Sequence, residues 1–321
     1  MNWAERFLEY ITVQRRYSPR TRKLYGDVLS RYEGYAGEYP ASLTPALVRS
    51  YEVHLLDAHI LDARTVNLHL SVLSSFCRYL IRQGELESNP VRVVSRPRVS
   101  RKLPVFYRDE SMEEYFRQSA YYAGEDSLKV LQASSGKARN EIFLKRSARM
   151  IVSMLYSTGI RRFEIISLKR DSLDLSRRIL RVRGKGDKMR EIPLPGSLCE
   201  ELSLYLQAAD LMTESAGPDS PLFITPAGGP IYPVFVDRAV KSELGEVGSI
   251  SGKKSPHVLR HTLATQLLDA GSDLNSIKEL LGHSSLAATQ VYTHNTVERL
   301  KNVYQQAHPR AKKEGENGDK D

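Results

Sequence analysis

Through the first ninety residues apolar positions recur at helical spacing. Trp3, Phe7, Leu8 and Ile11 outline one helix. Ser18-Pro19 then offers an N-cap with proline at the first helical position, so a second helix is predicted with Leu24, Val28 and Leu29 inward. Thr44-Pro45 repeats the start signal before Leu47, Val48, Tyr51 and Leu55. A fourth helix is predicted from Arg64 to Ile81, its buried stripe being Val66, Leu70, Leu73, Phe76, Cys77 and Leu80, with Gly84 and Asn89-Pro90 ending it. Gly26 falls inside the second helix, where it costs ~0.5–1 kcal/mol relative to Ala. Four helices with short connections predict a small all-α domain over residues 1–90.

The next stretch, VRVVSRPRVSR, has no period that would bury a face. It predicts a basic linker over 91–103, either a solvated connection or a strap lying against phosphates. A second domain over 104–310 opens with an acidic helix start at Asp109, Glu110 and Ser111. Its apolar pattern fades from Gly124 to Asn140, which predicts a polar loop insertion. A long helix follows at Ile142–Ser157 and a short one at Arg161–Leu168. Ile179–Arg183 and Arg190–Leu194, separated by Gly184-Lys185-Gly186-Asp187, predict a β-hairpin. Helices at Leu198–Ala209, Phe235–Leu244, Val258–Ala270 and Leu274–Leu281 complete a mainly α fold with one small β element. The polar tail, 311–321, is expected to be disordered.

Composition narrows the class. A chain of 321 residues with 41% hydrophobic and 26% charged residues has the makings of two ordinary globular cores, which excludes collagen, coiled-coil and disordered classes. Lys and Arg number 47 against 38 Asp and Glu, a net charge of +9, and point to a polyanionic partner. Arg20, Arg22 and Lys23 crowd the first turn of the second helix, where cations oppose the macrodipole, so phosphate contact is the expected compensation. Cys77 and Cys199 show no paired spacing, so neither a disulfide framework nor a cysteine zinc site is expected. Glu5, Arg6 and Glu9 break any signal-peptide core, and no apolar run reaches the ~18 residues a membrane span needs. The expected location is cytoplasmic and nucleoid-associated, without a membrane partner.

The clusters that could carry chemistry are Thr158-Gly159-Ile160-Arg161 with Glu164, Gly184-Lys185-Gly186, His257-Val258-Leu259-Arg260-His261, Leu281-Gly282-His283, and Tyr292. Each alone has a plain structural reading as a surface cation, a turn residue or packing. Together they offer two arginines, a lysine, two or three histidines and a tyrosine, with no carboxylate cluster fit for magnesium. That inventory suits a phosphodiester. Two forked guanidiniums can hold the non-bridging oxygens and neutralise the charge that builds up at phosphorus, a role metal ions play elsewhere. A tyrosine hydroxyl helped to lose its proton can form a covalent phosphotyrosine. A lysine at a hairpin tip can protonate the departing 5′ oxygen, in a field reinforced by Arg181 and Arg183. No cofactor and no metal is expected. Gly248 to Lys254 resembles a phosphate loop only loosely, and His257 and His261 have metalloprotease spacing without the glutamate base, Val258 occupying its position.

The strings TGIRRFEIISL, VRGKGDKMREIPL, HVLRHTLATQLLDAG and LGHSSLAATQVYTH, in that order, resemble tyrosine recombinases of the phage-integrase superfamily, and more narrowly the Xer recombinases. The resemblance runs roughly from Trp3 to Arg310. It implies that Arg161 and Arg260 bind the phosphate, Lys185 is the general acid, His257 and His283 hydrogen-bond the phosphate, and Tyr292 is the nucleophile. Glu164 matches an acidic position that orients Arg161, and His261 a structural one. The N-terminal unit would be a SAM-like core-binding domain, closing with the catalytic domain as a clamp on DNA. RYSPRTRKLY and RTVNLHLSVLSSFCRYL are also Xer-like, which places Arg20, Arg22, Lys23, Arg64 and Arg78 on phosphates.

The implied partners are duplex DNA with paired inverted half-sites, a homo- or hetero-tetramer with a second recombinase, and a DNA-translocase motor. The segment Thr296–Gln306 resembles the arm that docks on a neighbouring protomer, with packing onto its own domain as the alternative. The implied reaction is strand exchange through a 3′-phosphotyrosyl intermediate and a Holliday junction, in chromosome dimer resolution. Two alternatives stay open: an integrase or invertase of a mobile element, and a non-catalytic DNA-binding accessory protein. The start of the core-binding unit almost at Met1 favours the simple Xer type, because many integrases carry an extra arm-binding domain.

Overall fold

The computed structural model describes residues 2–57, 61–99, 105–184, 188–213 and 216–282. The chain divides into two compact units at residues 102/103. In the first, α1 (Trp3–Val13), α2 (Pro19–Ala36), α3 (Pro45–Asp57) and α4 (Ala63–Arg82) follow the apolar pattern within two residues. The starts are fixed locally. Asn2 and Glu5 form a reciprocal capping box, the Ser18 hydroxyl accepts from the Thr21 amide at 3.2 Å, and the Asp62 carboxylate accepts from the Thr65 amide at 2.7 Å.

Phe7, Leu29, Tyr32, Val48, Tyr51, Leu73 and Phe76 fill the core between these helices. Buried tyrosine hydroxyls find partners there. Tyr32 donates to the Ser42 carbonyl at 2.8 Å, and Tyr51 pairs with His69 Nδ1 at 2.9 Å. Desolvation holds the His69 imidazole down at about 4, so at neutral pH it is uncharged.

The segment after α4 differs from the expected linker. Asn89 caps a 3₁₀ turn at Pro90–Val93, and Val91 and Val94 are buried in the first core. Asn67 donates to the Pro97 carbonyl at 2.9 Å and Arg96 to the Ser71 hydroxyl at 2.9 Å, which lays residues 96–97 along α4. Only two of the four valines in so basic a string turn inward, which leaves no period to read, yet those two suffice to dock it. Residues 100–104, the end of that segment, lie outside the described residues.

The second unit comprises α5 (Asp109–Gln118), α6 (Glu125–Ala133), α7 (Gly136–Thr158), α8 (Arg162–Ser167), β1 (Leu173–Asp174), β2 (Ile179–Arg183), β3 (Met189–Pro193), α9 (Gly196–Asp210), α10 (Pro233–Gly245), α11 (Pro256–Asp269) and α12 (Leu274–Leu281). Helix α7 is its axis: every residue from Arg146 to Thr158 is buried, and α9, α10 and α11 pack around it. The three strands form an antiparallel sheet in the order β1-β2-β3, with Val182 opposite Arg190. At two residues β1 was too short for its pattern to be read.

The stretch from Gly124 to Asn140 is helical, against the expectation of a loop. It contains α6 and the first turn of α7. Helix α6 turns only Ser127, Leu128 and Leu131 inward, too narrow a stripe to reveal a period. Its anchor comes from afar in sequence: Arg146, buried in α7, donates to the Gly124 carbonyl at 2.8 Å and to the Ser127 hydroxyl.

Candidate functional site

Helix α7 ends at Gly159, whose φ of +60° is the left-handed conformation that terminates helices. The chain turns through Ile160 and restarts as α8 with Arg161 at the N-cap, so the turn itself presents Arg161. Glu164, one helical turn on, accepts from the Arg161 backbone amide and from Arg161 Nη1, both at 2.8 Å. The same carboxylate takes a bidentate fork from Arg190 on β3, Nη1 to Oε1 at 3.0 Å and Nη2 to Oε2 at 2.8 Å. Burial alone would raise the Glu164 carboxyl, but the Arg190 and Arg161 contacts outweigh it and bring the group down to about 2.

Arg260 arrives from α11, whose start at Ser255-Pro256 puts His257 in the first turn. Its side chain is buried and donates to the Gly159 carbonyl at 2.5 Å and to the Leu281 carbonyl at 2.6 Å. Desolvation, then repulsion from Arg161, lowers the guanidinium to about 10, which leaves it charged at neutral pH. His257 is shifted down as well, by desolvation first and then by His261, Arg260, Lys253 and Arg161. The two imidazoles meet edge-on with ring centroids 4.6 Å apart.

Helix α12 closes the site. Three arginines from three elements each take one of three consecutive carbonyls at its C-terminus: Arg190 Nε to Leu280 at 3.2 Å, Arg260 Nη2 to Leu281 at 2.6 Å, and Arg161 Nη2 to Gly282 at 2.7 Å. Terminal carbonyls that a helix leaves unpaired are thus satisfied by cations, which also suit the negative end of the helix dipole. Gly282, at φ +64°, packs so closely that a Cβ would lie 3.0 Å from Arg190 Nη1.

The structure therefore brings together Arg161, Glu164, His257 and Arg260 among the expected residues. Lys185, His283 and Tyr292 lie outside the described residues, as does the arm Thr296–Gln306 and the tail 311–321. Arg181 is half-buried between Asp174, at 3.7 Å, and Glu191, at 3.4 Å, while Arg183 on the same strand is exposed. In the first unit Arg20, Arg22 and Lys23 are exposed on the first turn of α2, and Arg64 and Arg78 on α4. Among the described residues no group of acidic, histidine and cysteine side chains could hold a metal ion. None of the described helices is long and apolar enough to cross a membrane.

Arg190 was not singled out from the sequence. Its signal was the alternation along β3, where Arg190 and Ile192 are buried and Met189 is exposed, a basic residue in the inward phase of a strand.

Two family models match the chain, the phage integrase family over residues 125–299 and the phage integrase N-terminal SAM-like domain over 4–84. Among curated relatives, the tyrosine recombinase XerC of Chlorobaculum parvum is 35% identical, over 96% of this chain and 95% of that one. XerC of Bacillus subtilis is 32% identical over 97% of each. Solved structures share the fold. The Tn1549 transposon integrase in complex with transposon right end DNA has a TM-score of 0.65 at 17% identity, covering 99% of both chains. The XerH recombinase bound to palindromic difH substrate has a TM-score of 0.64 at 19% identity, covering 94% of this chain and 83% of that one. With both its units matched and full-length relatives above 30% identity, the chain belongs to the phage integrase family of tyrosine recombinases.

Proposed function

We propose that the chain is a site-specific tyrosine recombinase that cuts and rejoins duplex DNA, in Xer-type resolution of chromosome dimers. One observation carries the chemistry: two cationic arginines, Arg161 and Arg260, converge on the end of α12, immediately before His283. Tyr292 attacks the scissile phosphorus, the bond to the 5′ oxygen breaks, and Lys185 gives that oxygen its proton. The 3′-phosphotyrosyl bond keeps the energy of the cut strand for rejoining. Arg161 and Arg260 hold the non-bridging oxygens, joined by His257 and His283. Desolvation and the neighbouring cations shift His257 down, which favours its neutral ring; a neutral ring can donate from one nitrogen to the phosphate and take up the phenolic proton on the other.

The similarity to XerC chains over nearly the whole length supports the Xer reading. The proposal includes a tetramer on paired inverted half-sites, a second recombinase as partner, an activating DNA translocase and a place on the nucleoid. Exposed cations of α2 and α4 would grip backbone phosphates and fix register. The test is to trap covalent protein–DNA complexes in host cells with denaturant and sequence the ends left on Tyr292. A single chromosomal locus opposite the replication origin is expected. Inverted repeats beside promoters or element ends would replace dimer resolution with inversion or integration. Adducts that persist in Tyr292→Phe would overturn the nucleophile.

A further inference from the structure

We propose that Arg190 is a positioning residue for DNA cleavage: it holds the Glu164 carboxylate that aims Arg161, and it fixes the α12 terminus from which His283 follows. The inference rests on the recombinase reading of the site. Arg190 itself is buried, and all three of its side-chain nitrogens are engaged by protein acceptors, so it is placed to act through neighbours rather than on DNA. It stands on β3, five residues after Lys185 in sequence, and it reaches both α8 and α12. One guanidinium therefore sets the hairpin, the Arg161 turn and the end of α12 in a common frame.

The arrangement has a chemical reason. Glu164 is faced by Arg161 from α8, Arg190 from β3 and Arg260 from α11. A buried carboxylate without its main partner would take up a proton and lose one acceptor site. Arg161, whose side chain is 40% exposed, would then keep its Gly282 carbonyl but be held less firmly on the Glu164 side. Gly282 belongs to the same frame: at φ +64° a Cβ there would lie 3.0 Å from Arg190 Nη1 and 3.2 Å from its Cζ, so a larger residue would press the guanidinium out of place by a few tenths of an ångström.

The test uses the full chain with carbon-13-labelled glutamate, Glu164 being assigned by its loss in Glu164→Gln. In Arg190→Met the Glu164 carboxyl should climb from about 2 toward or past the ordinary glutamate range near ~4.3. In Arg190→Lys, which keeps the charge and loses the fork, it should stay low. Cleavage is read as covalent adduct on the nicked genomic duplex that wild type cleaves best. At saturating DNA, Arg190→Met should slow adduct formation about 10- to 100-fold with DNA binding unchanged, and Arg190→Lys should lie between. In the Glu164→Gln background the Arg190→Met loss should shrink to the part that comes from the Leu280 contact, so the two losses should fall clearly short of adding, which a general packing role would not produce. An unmoved Glu164 titration, or losses that simply add, would overturn the proposal. Absence of any adduct with wild type would count against the recombinase reading instead, and the titration would still decide whether Arg190 governs Glu164.

Discussion

Replacing Gly159 by alanine probes how tightly the arginine site is tied to the helix ends beneath it. Gly159 sits at φ +60°, and a Cβ there would lie 2.5 Å from Leu281 Cδ2 and 3.0 Å from Leu263 Cδ2, both side chains buried. Carbon atoms prefer about 3.5–4.0 Å, so the first contact must open by ~1 Å. The left-handed conformation costs a residue with Cβ about 1–2 kcal/mol. Overpacking a filled core costs about 1–3 kcal/mol more. The sum, ~2–5 kcal/mol, is a large share of the ~5–15 kcal/mol that holds a typical domain together. Hydrogen exchange of the α7 amides, read by mass spectrometry, should report that loss, since α7 is the buried axis of this unit. Leu281→Ala removes the nearer obstacle at its own cost of about 2–5 kcal/mol, so the double variant should be distinctly more stable than the sum of the single losses predicts. Gly159→Ala with wild-type protection, or a strictly additive double variant, would refute the reasoning.

Other outcomes follow from single contacts. Gly26→Ala should stabilise the first unit by about 0.5–1 kcal/mol in denaturant melts, because its Cβ would meet Leu8 Cδ1 at an ordinary 3.5 Å. Glu164 has a folded-state pKa depressed to about 2, so its contribution to stability is present above ~4.3 and lost as pH falls through about 2; Glu164→Gln should remove that part of the acid limb of a stability–pH curve. Replacing Arg22 and Lys23 by glutamine should weaken DNA binding evenly across sequences and lower the slope of log affinity against log salt by ~1 per phosphate contact, in fluorescence titrations at several salt concentrations.

What the sequence made legible was whatever depends on near neighbours. The start of α2 at Ser18 rests on a contact three residues away, and the hairpin strands on simple alternation. Arg161, Glu164, His257 and Arg260 were recognisable from motif order and do meet in space. What stayed hidden depends on distant partners. Helix α6 is held by Arg146, 22 residues from Gly124 in sequence. Val91 and Val94 are apolar residues in a basic string, and only the core they enter gives them meaning. Arg190 reads as one more surface cation until Glu164 and Leu280, 26 and 90 residues away, are seen to claim it.

The choice of acceptors bears on how the proposed site would stabilise a transition state. Arg260 is fixed by two backbone carbonyls, neutral groups that orient a guanidinium without cancelling its charge. Arg161 does share a carboxylate, but that carboxylate is shared with Arg190 as well, so three guanidiniums and one carboxylate leave the cluster at +2. A phosphodiester enters with one negative charge and gains a second as the tyrosine adds, so the cluster matches the charge reached at the top of the barrier rather than the charge of the ground state. The carbonyl contacts of Arg161 and Arg260 use Nη atoms that each carry a second hydrogen, so holding the arginines in place does not consume their capacity to bind phosphate oxygens. In the proposed reaction, positioning would fall to the donors that face the protein and catalysis to the hydrogens left over for the phosphate. For the same reason Arg260→Lys, one charge without the fork, should cost far more in cleavage rate than in DNA affinity.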